Sequence, residues 1–260
     1  MVKIKVHDLL VWFTAVWLVS SLSACGNITP TLLTPTESRP PQPAANNSPF
    51  PDENENGTEI YPPSVNVPIG IAPAIDGTLS PGEWDDAIVE TFADGSHLLL
   101  LQAADFIYLG IRAHDPGLIA GNIFLSRGVE IAIMHSSAAL GTAIYQQGAD
   151  GWQQVQDFTW RCRNTSDSES ARVERAEFLQ DEGWLAANGL MGTPNELEYQ
   201  IKIPDQDFHL AVVYIKSEYP YEKVPWPVIL NDDSIQPSSG GLPTLMQFSP
   251  LQWASLEMKK

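Results

Sequence analysis

The sequence predicts an all-β protein, a two-sheet antiparallel β-sandwich of jelly-roll-like type, preceded by an N-terminal segment of different character. Segments in which apolar and polar residues alternate recur through the last two thirds of the 260-residue chain. Clusters of Gly, Pro, Asn and Asp separate these segments, and little helical sequence lies between them. We therefore expect a single β-sandwich domain over residues 67–260.

The predicted strands differ in how they are buried. Segments 105–115, 128–135 and 196–204 alternate between two faces, which is typical of strands in a sandwich. The segment 209–217 is apolar on both faces, which indicates a central strand. Weaker candidates for strands are 97–103, 142–147, 152–160, 171–179, 183–187 and 251–258.

Residues 1–24 have the features of a signal peptide. Lys3 and Lys5 precede an apolar stretch that is short for a transmembrane helix. This stretch ends in the letters LSAC at Cys25, which resembles the lipobox of bacterial lipoproteins. The resemblance implies that Cys25 becomes the mature N-terminus and carries palmitate-type acyl chains that anchor the protein to a membrane. The expected location is the extracytoplasmic face of the cell envelope; an ordinary secretory signal is the alternative.

Residues 25–66 predict a disordered tether. The segment contains nine prolines among Thr, Ser, Asn and Glu and shows no strand or helix period. Such a composition cannot bury a core, so we expect it to hold the domain away from the membrane.

The net charge of the chain excludes two classes of partner. It is −18 for the whole sequence, and removal of residues 1–24, which contain two lysines and one aspartate, makes it −19. Nucleic acid and anionic lipid surfaces repel a chain this acidic. Membrane attachment is therefore expected through the lipid anchor only.

The stretch IDGTLSPGEWDDA, residues 75–87, predicts the start of the domain. Gly77 suits a turn, and Ser80 with Glu83 forms the pattern of a capping box at the start of a helix of about two turns. Trp84 lies on the apolar face of that helix, so we expect it in the core at one end of the sandwich.

The same stretch is similar to the IDG…W…A opening of family 9 carbohydrate-binding modules and the wider DOMON-like group of sandwiches. Further motifs follow in the order found in that group, and together they span most of residues 69–258. They are DFIYLGIRAHD with Asp115, GVEIAI with Glu130, ELEYQIKIP with Glu198 and Pro204, and PLQWASLEM with Trp253. The resemblance implies a jelly-roll-like sandwich that binds a polysaccharide or oligosaccharide between aromatic side chains, and calcium that supports the fold.

Sugar binding requires flat aromatic faces beside side chains that hydrogen-bond hydroxyl groups. Trp152 lies next to a Gly-rich turn and Trp226 lies between two prolines, so both are favoured as loop aromatics. Trp160 and Trp184 lie in strand-like segments, where core packing is the commoner role. The candidate ligand-binding residues are Trp152, Trp226, Tyr219, Tyr221 and Trp184.

Cofactor signals are weaker. Asp76 and Asp115 lie near predicted turns, where carboxylates could bind a structural Ca²⁺. Haem, which some DOMON-like domains hold through Met and His, is disfavoured because Met134 and His135 are adjacent in a strand and point to opposite faces. The sequence establishes no cofactor.

The sequence favours a non-catalytic function. It contains no G-x-S-x-G, H-E-x-x-H or P-loop motif. The expected function is carbohydrate binding by a membrane-anchored extracytoplasmic lipoprotein. The alternatives are an envelope protein–protein interaction module that binds no sugar, and a haem-containing redox domain. No oligomeric state is favoured.

Overall fold

The computed structural model describes residues 62–228, 230 and 242–259. In these ranges the chain forms two β-sheets and one α-helix, which confirms the predicted all-β sandwich. No helix in the same ranges is long and apolar enough to span a membrane. The predicted signal peptide, Cys25 and most of the predicted tether lie outside the described residues.

The large sheet has nine strands. They are β1 (Ser64–Val67), β5 (Ile119–Arg127), β6 (Glu130–Ser136), β7 (Leu140–Gly148), β8 (Gly151–Gln156), β11 (His209–Lys216), β12 (Lys223–Trp226), β13 (Leu245–Met246) and β14 (Ala254–Met258). Their order is β1-β14-β11-β5-β6-β7-β8-β13, and β12 also pairs with β11. All pairs are antiparallel except β1 with β14. β1 begins three residues before the expected start of the domain.

The small sheet has five antiparallel strands. They are β2 (Ile88–Thr91), β3 (His97–Ala103), β4 (Phe106–Arg112), β9 (Trp184–Asn188) and β10 (Glu196–Lys202). Their order is β2-β3-β4-β10-β9. The three segments that alternate clearly in the sequence form strands as predicted: 105–115 contains β4, 128–135 overlaps β6 of the large sheet, and 196–204 contains β10.

The prediction of a strand over residues 171–179 is wrong, because this segment lies within helix α1 (Glu169–Glu182). Ser168 caps the helix by accepting a hydrogen bond from the Ala171 N–H, and Gly183 ends it in the left-handed conformation. Its buried residues, Ala171 and Phe178, are seven positions apart, which is a helical spacing.

Strand β5 was not predicted, although it is central in the large sheet. Gly121 and Asn122 interrupt its apolar pattern, and both have structural roles. A Cβ at Gly121 would lie 2.6 Å from Leu197 Cδ2 and 2.9 Å from the Tyr199 hydroxyl, so the two sheets approach closely here. Asn122 Oδ1 lies 2.6 Å from Nδ1 of His135 on the neighbouring strand.

The large sheet is buried on both faces. Its inner face packs against the small sheet, and residues such as Leu125, Met134 and Val212 lie in that core. Its outer face carries a second core that includes Ile133 and Ala211, covered by residues from the C-terminal part of the chain. Those covering residues are Leu230, Met246, Phe248 and Trp253. This second layer explains why β6 and β11 are apolar on both sides.

The 75–87 stretch contains turns where a short helix was expected. Trp84 is buried as predicted, but it lies in a small separate cluster with residues of β3 and β4 and not in the core between the sheets. Carboxylates from β10 bind its backbone. Glu198 Oε2 accepts hydrogen bonds from the N–H groups of Asp76 (2.9 Å) and Gly77 (2.7 Å), and Glu196 Oε2 accepts one from Leu79 (2.7 Å). These contacts fix the stretch to the small sheet and take the place of a helix cap.

Gly77→Ala is expected to lower the free energy of unfolding by about 2–3 kcal/mol, measured by urea denaturation. Gly77 has φ 87°. An added Cβ would lie 2.3 Å from the Asn188 carbonyl oxygen. Gly82→Ala is the matched control: its φ is 91°, and no atom lies within 4 Å of the added Cβ. It should cost about 1 kcal/mol, and equal losses in the two variants would contradict the role of the Asn188 contact.

Candidate functional site

Three of the predicted ligand-binding residues lie in the core. Trp152, Trp184 and Trp226 are 5 %, 0 % and 2 % exposed, so none offers a ring face to a ligand. The Trp152 indole N–H donates to the Phe248 carbonyl at 3.1 Å in the outer-face core. The prolines around Trp226 suggested a loop, but Trp226 is the last residue of β12 and packs between the sheets.

Tyr219 and Tyr221, the other two predicted residues, are exposed. They are 89 % and 64 % accessible on the loop that joins β11 to β12. Their ring centroids are 6.2 Å apart and the ring planes meet at 86°. Backbone hydrogen bonds fix the base of this loop, from Lys216 N–H to the Glu222 carbonyl and from Ser217 N–H to the Leu118 carbonyl.

A charged cluster lies beside the two tyrosines. Lys216 Nζ is 2.9 Å from Asp115 Oδ2, 3.0 Å from Glu222 Oε2 and 3.6 Å from Asp94 Oδ2. Lys216 ends β11, Asp115 follows β4, Glu222 precedes β12 and Asp94 precedes β3. We call Tyr219, Tyr221, Lys216, Asp115 and Glu222 the hairpin site.

Ion pairing favours the charged forms of Lys216 and Asp115. Hydrogen bonds to Asp115 and Glu222 raise the pKa of Lys216. The hydrogen bond from Lys216 lowers the pKa of Asp115. Burial raises the pKa of Asp94, but hydrogen bonds from Tyr214 and Ser96 outweigh it and leave that pKa lowered. Three carboxylates surround one ammonium group, so the local charge is negative and disfavours anionic ligands.

The residues proposed for calcium have other partners. Asp115 binds Lys216, and Asp76 Oδ1 accepts a hydrogen bond from the Thr78 N–H at 3.0 Å. Among the described residues, no group of three or more His, Cys, Asp or Glu side chains could hold a metal ion. The structure therefore gives no support to calcium ligation by this pair.

Met134 and His135 lie on opposite faces of the large sheet. Met134 packs in the core between the sheets, whereas the His135 ring contacts Trp160 at 5.3 Å on the outer face. Burial lowers the pKa of His135 to about 4, so the imidazole is neutral near pH 7. The two side chains cannot bind one iron from their positions.

Trp160, expected in the core, is 39 % exposed. Its ring stacks on Phe158 at 4.8 Å and meets His135 edge to face. A Cβ at Gly141 would lie 2.9 Å from the same ring, so Trp160 covers this part of the sheet. These contacts occupy much of the ring, and Trp160 is a weaker candidate for stacking than either exposed tyrosine.

Sequence reasoning missed Lys216 and Glu222 as members of the hairpin site. The only signal was local: Lys216 and Glu222 flank the SEYPY stretch that contains both tyrosines. Asp94, which lies beside this site, is more than 120 positions away from Lys216 along the chain, and the packing of the small sheet on the large one brings the two side chains within 3.6 Å.

Comparison with known proteins shows similarity to a solved structure but not to a family or a curated protein. No family model and no curated protein matches the chain. A similar solved structure is a family 9 carbohydrate-binding module from Caldicellulosiruptor kristjanssonii in complex with cellotriose. The two share 12 % sequence identity with a TM-score of 0.40, over 76 % of this chain and 95 % of that one.

Proposed function

We propose that this protein is a non-catalytic saccharide-binding protein and that the hairpin site holds the sugar. The observation that carries the proposal is the pair of adjacent, exposed rings of Tyr219 and Tyr221. Exposed aromatic side chains that lie together are a common feature of binding sites, because each ring offers a large, rigid apolar face and a polar tip.

The geometry of the pair suits a sugar ring. The apolar C–H face of a pyranose packs on a flat aromatic ring, and two rings at 86° form a corner that can contact two sides of the ligand. Asp115 and Glu222 carry acceptor oxygens for hydroxyl groups, and their ion pairs with Lys216 hold these oxygens in place. The site thus combines a stacking surface with positioned hydrogen-bond acceptors.

The negative charge of the site narrows the class of saccharide. A uronic acid or a sulfated sugar would be repelled by the carboxylates around Lys216. We therefore propose a neutral or basic polysaccharide or oligosaccharide as the ligand.

Binding without hydrolysis fits the electrostatics of the site. Glycoside hydrolysis needs a carboxylic acid whose raised pKa keeps it protonated as a general acid. The pKa values of Asp94 and Asp115 are lowered. Neither side chain can therefore donate a proton near neutral pH.

The lipobox-like sequence supports a second part of the proposal, which concerns location. Acylation of Cys25 would hold the saccharide-binding domain at the extracytoplasmic surface of a membrane. The strongly acidic chain would add no electrostatic attraction to that surface.

Tyr219→Ala and Tyr221→Ala are each expected to weaken saccharide binding by about tenfold or more, because each removes an exposed stacking face. A glycan array probed with the full chain identifies the ligand, and titration calorimetry measures the affinity of each variant. Tyr219→Phe and Tyr221→Phe are the matched controls, since they keep the ring face and remove only the hydroxyl group. The proposal fails if the wild-type chain binds no glycan, or if the double alanine variant binds as the wild type does.

A further inference from the structure

A cleft of about 870 Å³ opens between the two sheets. It lies where β5 and β10 end and where α1 meets β9. The hairpin site lies at the other end of β5, because Lys216 pairs with Ile119 at the start of that strand. The cleft is therefore separate from the hairpin site, and its volume is within the range of small-molecule sites.

Apolar side chains form the floor of the cleft, but little of their surface is exposed in it. Most of its side chains are already buried in the core between the sheets, so they leave little apolar surface for an acyl chain. An extended hydrophobic ligand would find few contacts there. The floor residues are Leu125, Ala132, Met134, Ile144, Ile201 and Ile203.

The rim of the cleft is densely polar, with charges of both signs. Two cations and three carboxylates line it together with two glutamines. The charged side chains at the rim are Arg127, Asp181, Glu182, Lys202 and Asp205, and the glutamines are Gln156 and Gln206.

Several of these charges already have protein partners. Arg127 Nη2 binds Glu130 Oε1 at 2.6 Å, and Asp181 Oδ2 lies 3.0 Å from Arg161 Nη1. The pairing and the mixed signs leave no strong field that would select an anion or a cation. Arg127 Nε is buried and has no hydrogen-bond partner among the described residues. A buried donor of this kind is stabilised when a ligand or water supplies an acceptor.

We infer that the cleft is a second ligand site and that its ligand is a neutral, polyhydroxylated molecule the size of a short oligosaccharide. Carboxylates, amides and cations at one rim offer donors and acceptors to many hydroxyl groups. The small exposed area of the floor disfavours a lipid, and the mixed, partly paired charges of the rim disfavour an ion. This inference does not depend on the hairpin site.

The Met134 methyl group provides a direct probe of the cleft. The full chain labelled with ¹³C in its methionine methyl groups is titrated with neutral trisaccharides: maltotriose, cellotriose and tri-N-acetylchitotriose. The Met134 resonance, assigned with Met134→Leu, is expected to shift saturably with at least one of them. The methyl group of Met246, buried on the outer face of the large sheet, is the internal control and should stay in place.

Variants at the exposed rim test whether the shift reports binding in the cleft. The double variant Lys202→Ala, Asp205→Ala is expected to weaken the apparent affinity by about tenfold or more. Asp207→Ala is the matched control, because Asp207 is an exposed carboxylate two residues away that does not line the cleft. The double variant Tyr219→Ala, Tyr221→Ala should leave the Met134 shift intact.

Four results would overturn the inference. The first is a Met134 resonance that no trisaccharide moves at millimolar concentration. The second is a shift that the Lys202, Asp205 double variant leaves unchanged. The third is a response only to inorganic phosphate or to free lysine, used as ionic probes. A Met134 shift that disappears with the two tyrosines would assign the binding to the hairpin site alone and reject the cleft.

Discussion

Trp184→Ala is expected to lower the free energy of unfolding by about 3–5 kcal/mol, the loss typical of removing a large aromatic from a packed core. Trp184 is fully buried. Its ring stacks on Tyr199 at 5.9 Å and meets Phe178 of α1 edge to face at 5.0 Å. Its indole N–H donates to Thr142 Oγ1 at 2.9 Å. The substitution therefore opens a cavity where the small sheet, α1 and β7 meet. Urea denaturation followed by circular dichroism measures the loss.

Trp160→Ala is the matched control for this prediction. It removes the same side chain from a position that is 39 % exposed. We expect a smaller loss of about 1–2 kcal/mol, because the position is partly exposed and water can fill the space that the ring leaves, so that no closed cavity forms. Similar losses in the two variants would show that the protein collapses around the cavity left by Trp184. They would contradict the prediction that the packing of Trp184 makes an unusually large contribution to the free energy of unfolding.

Some features of the fold could be predicted from the sequence, and others could not. Alternation identified β4, β6 and β10 because each strand presents different surroundings to its two faces. Burial of Trp152 was not predictable, because it depends on a second layer supplied by Phe248 almost 100 positions later. Segment 171–179 was misleading, because its apolar and charged residues alternate over only a few positions, and so short a pattern suits a helix as well as a strand.

The residues of the candidate site were also only partly predictable from the sequence. Tyr219 and Tyr221 were predictable as ligand candidates, since both lie in a polar stretch rich in turn-forming residues. The charged groups beside them come from the ends of strands β3, β4 and β11, and these ends meet only because the two sheets pack against each other. The cleft is still less visible, because its lining comes from both sheets and from the end of α1. The positions of both candidate sites therefore depend on contacts between segments that are far apart in the sequence.

Glu198→Gln is expected to gain stability relative to the wild type as the pH rises from 4.5 to 7. Burial raises the pKa of Glu198 from 4.5 to about 7, against the hydrogen bonds from the Gly77 and Asp76 N–H groups. The folded state therefore favours the protonated carboxyl group. This contribution is fully present below pH 4.5, is lost as the pH rises through about 7, and changes no further above that pH. A shift of this size corresponds to about 3 kcal/mol.

The glutamine side chain separates the charge of Glu198 from its hydrogen bonds. Its carbonyl oxygen can still accept from the Asp76 and Gly77 N–H groups, but it does not titrate. The stability difference between Glu198→Gln and the wild type should rise by about 3 kcal/mol between pH 4.5 and 7, then stay level. Urea denaturation at a series of pH values measures this difference.

Glu198→Ala completes the experiment, because it removes the charge and the acceptor together. The N–H groups of Asp76 and Gly77 then lose their partner, and we expect a loss of about 2 kcal/mol or more at pH 5, where the wild-type carboxyl group is mainly protonated. Parallel pH profiles for Glu198→Gln and the wild type would show that Glu198 folds as a carboxylate of ordinary pKa. In that case its buried charge would have to be compensated by its contacts with the 75–87 stretch.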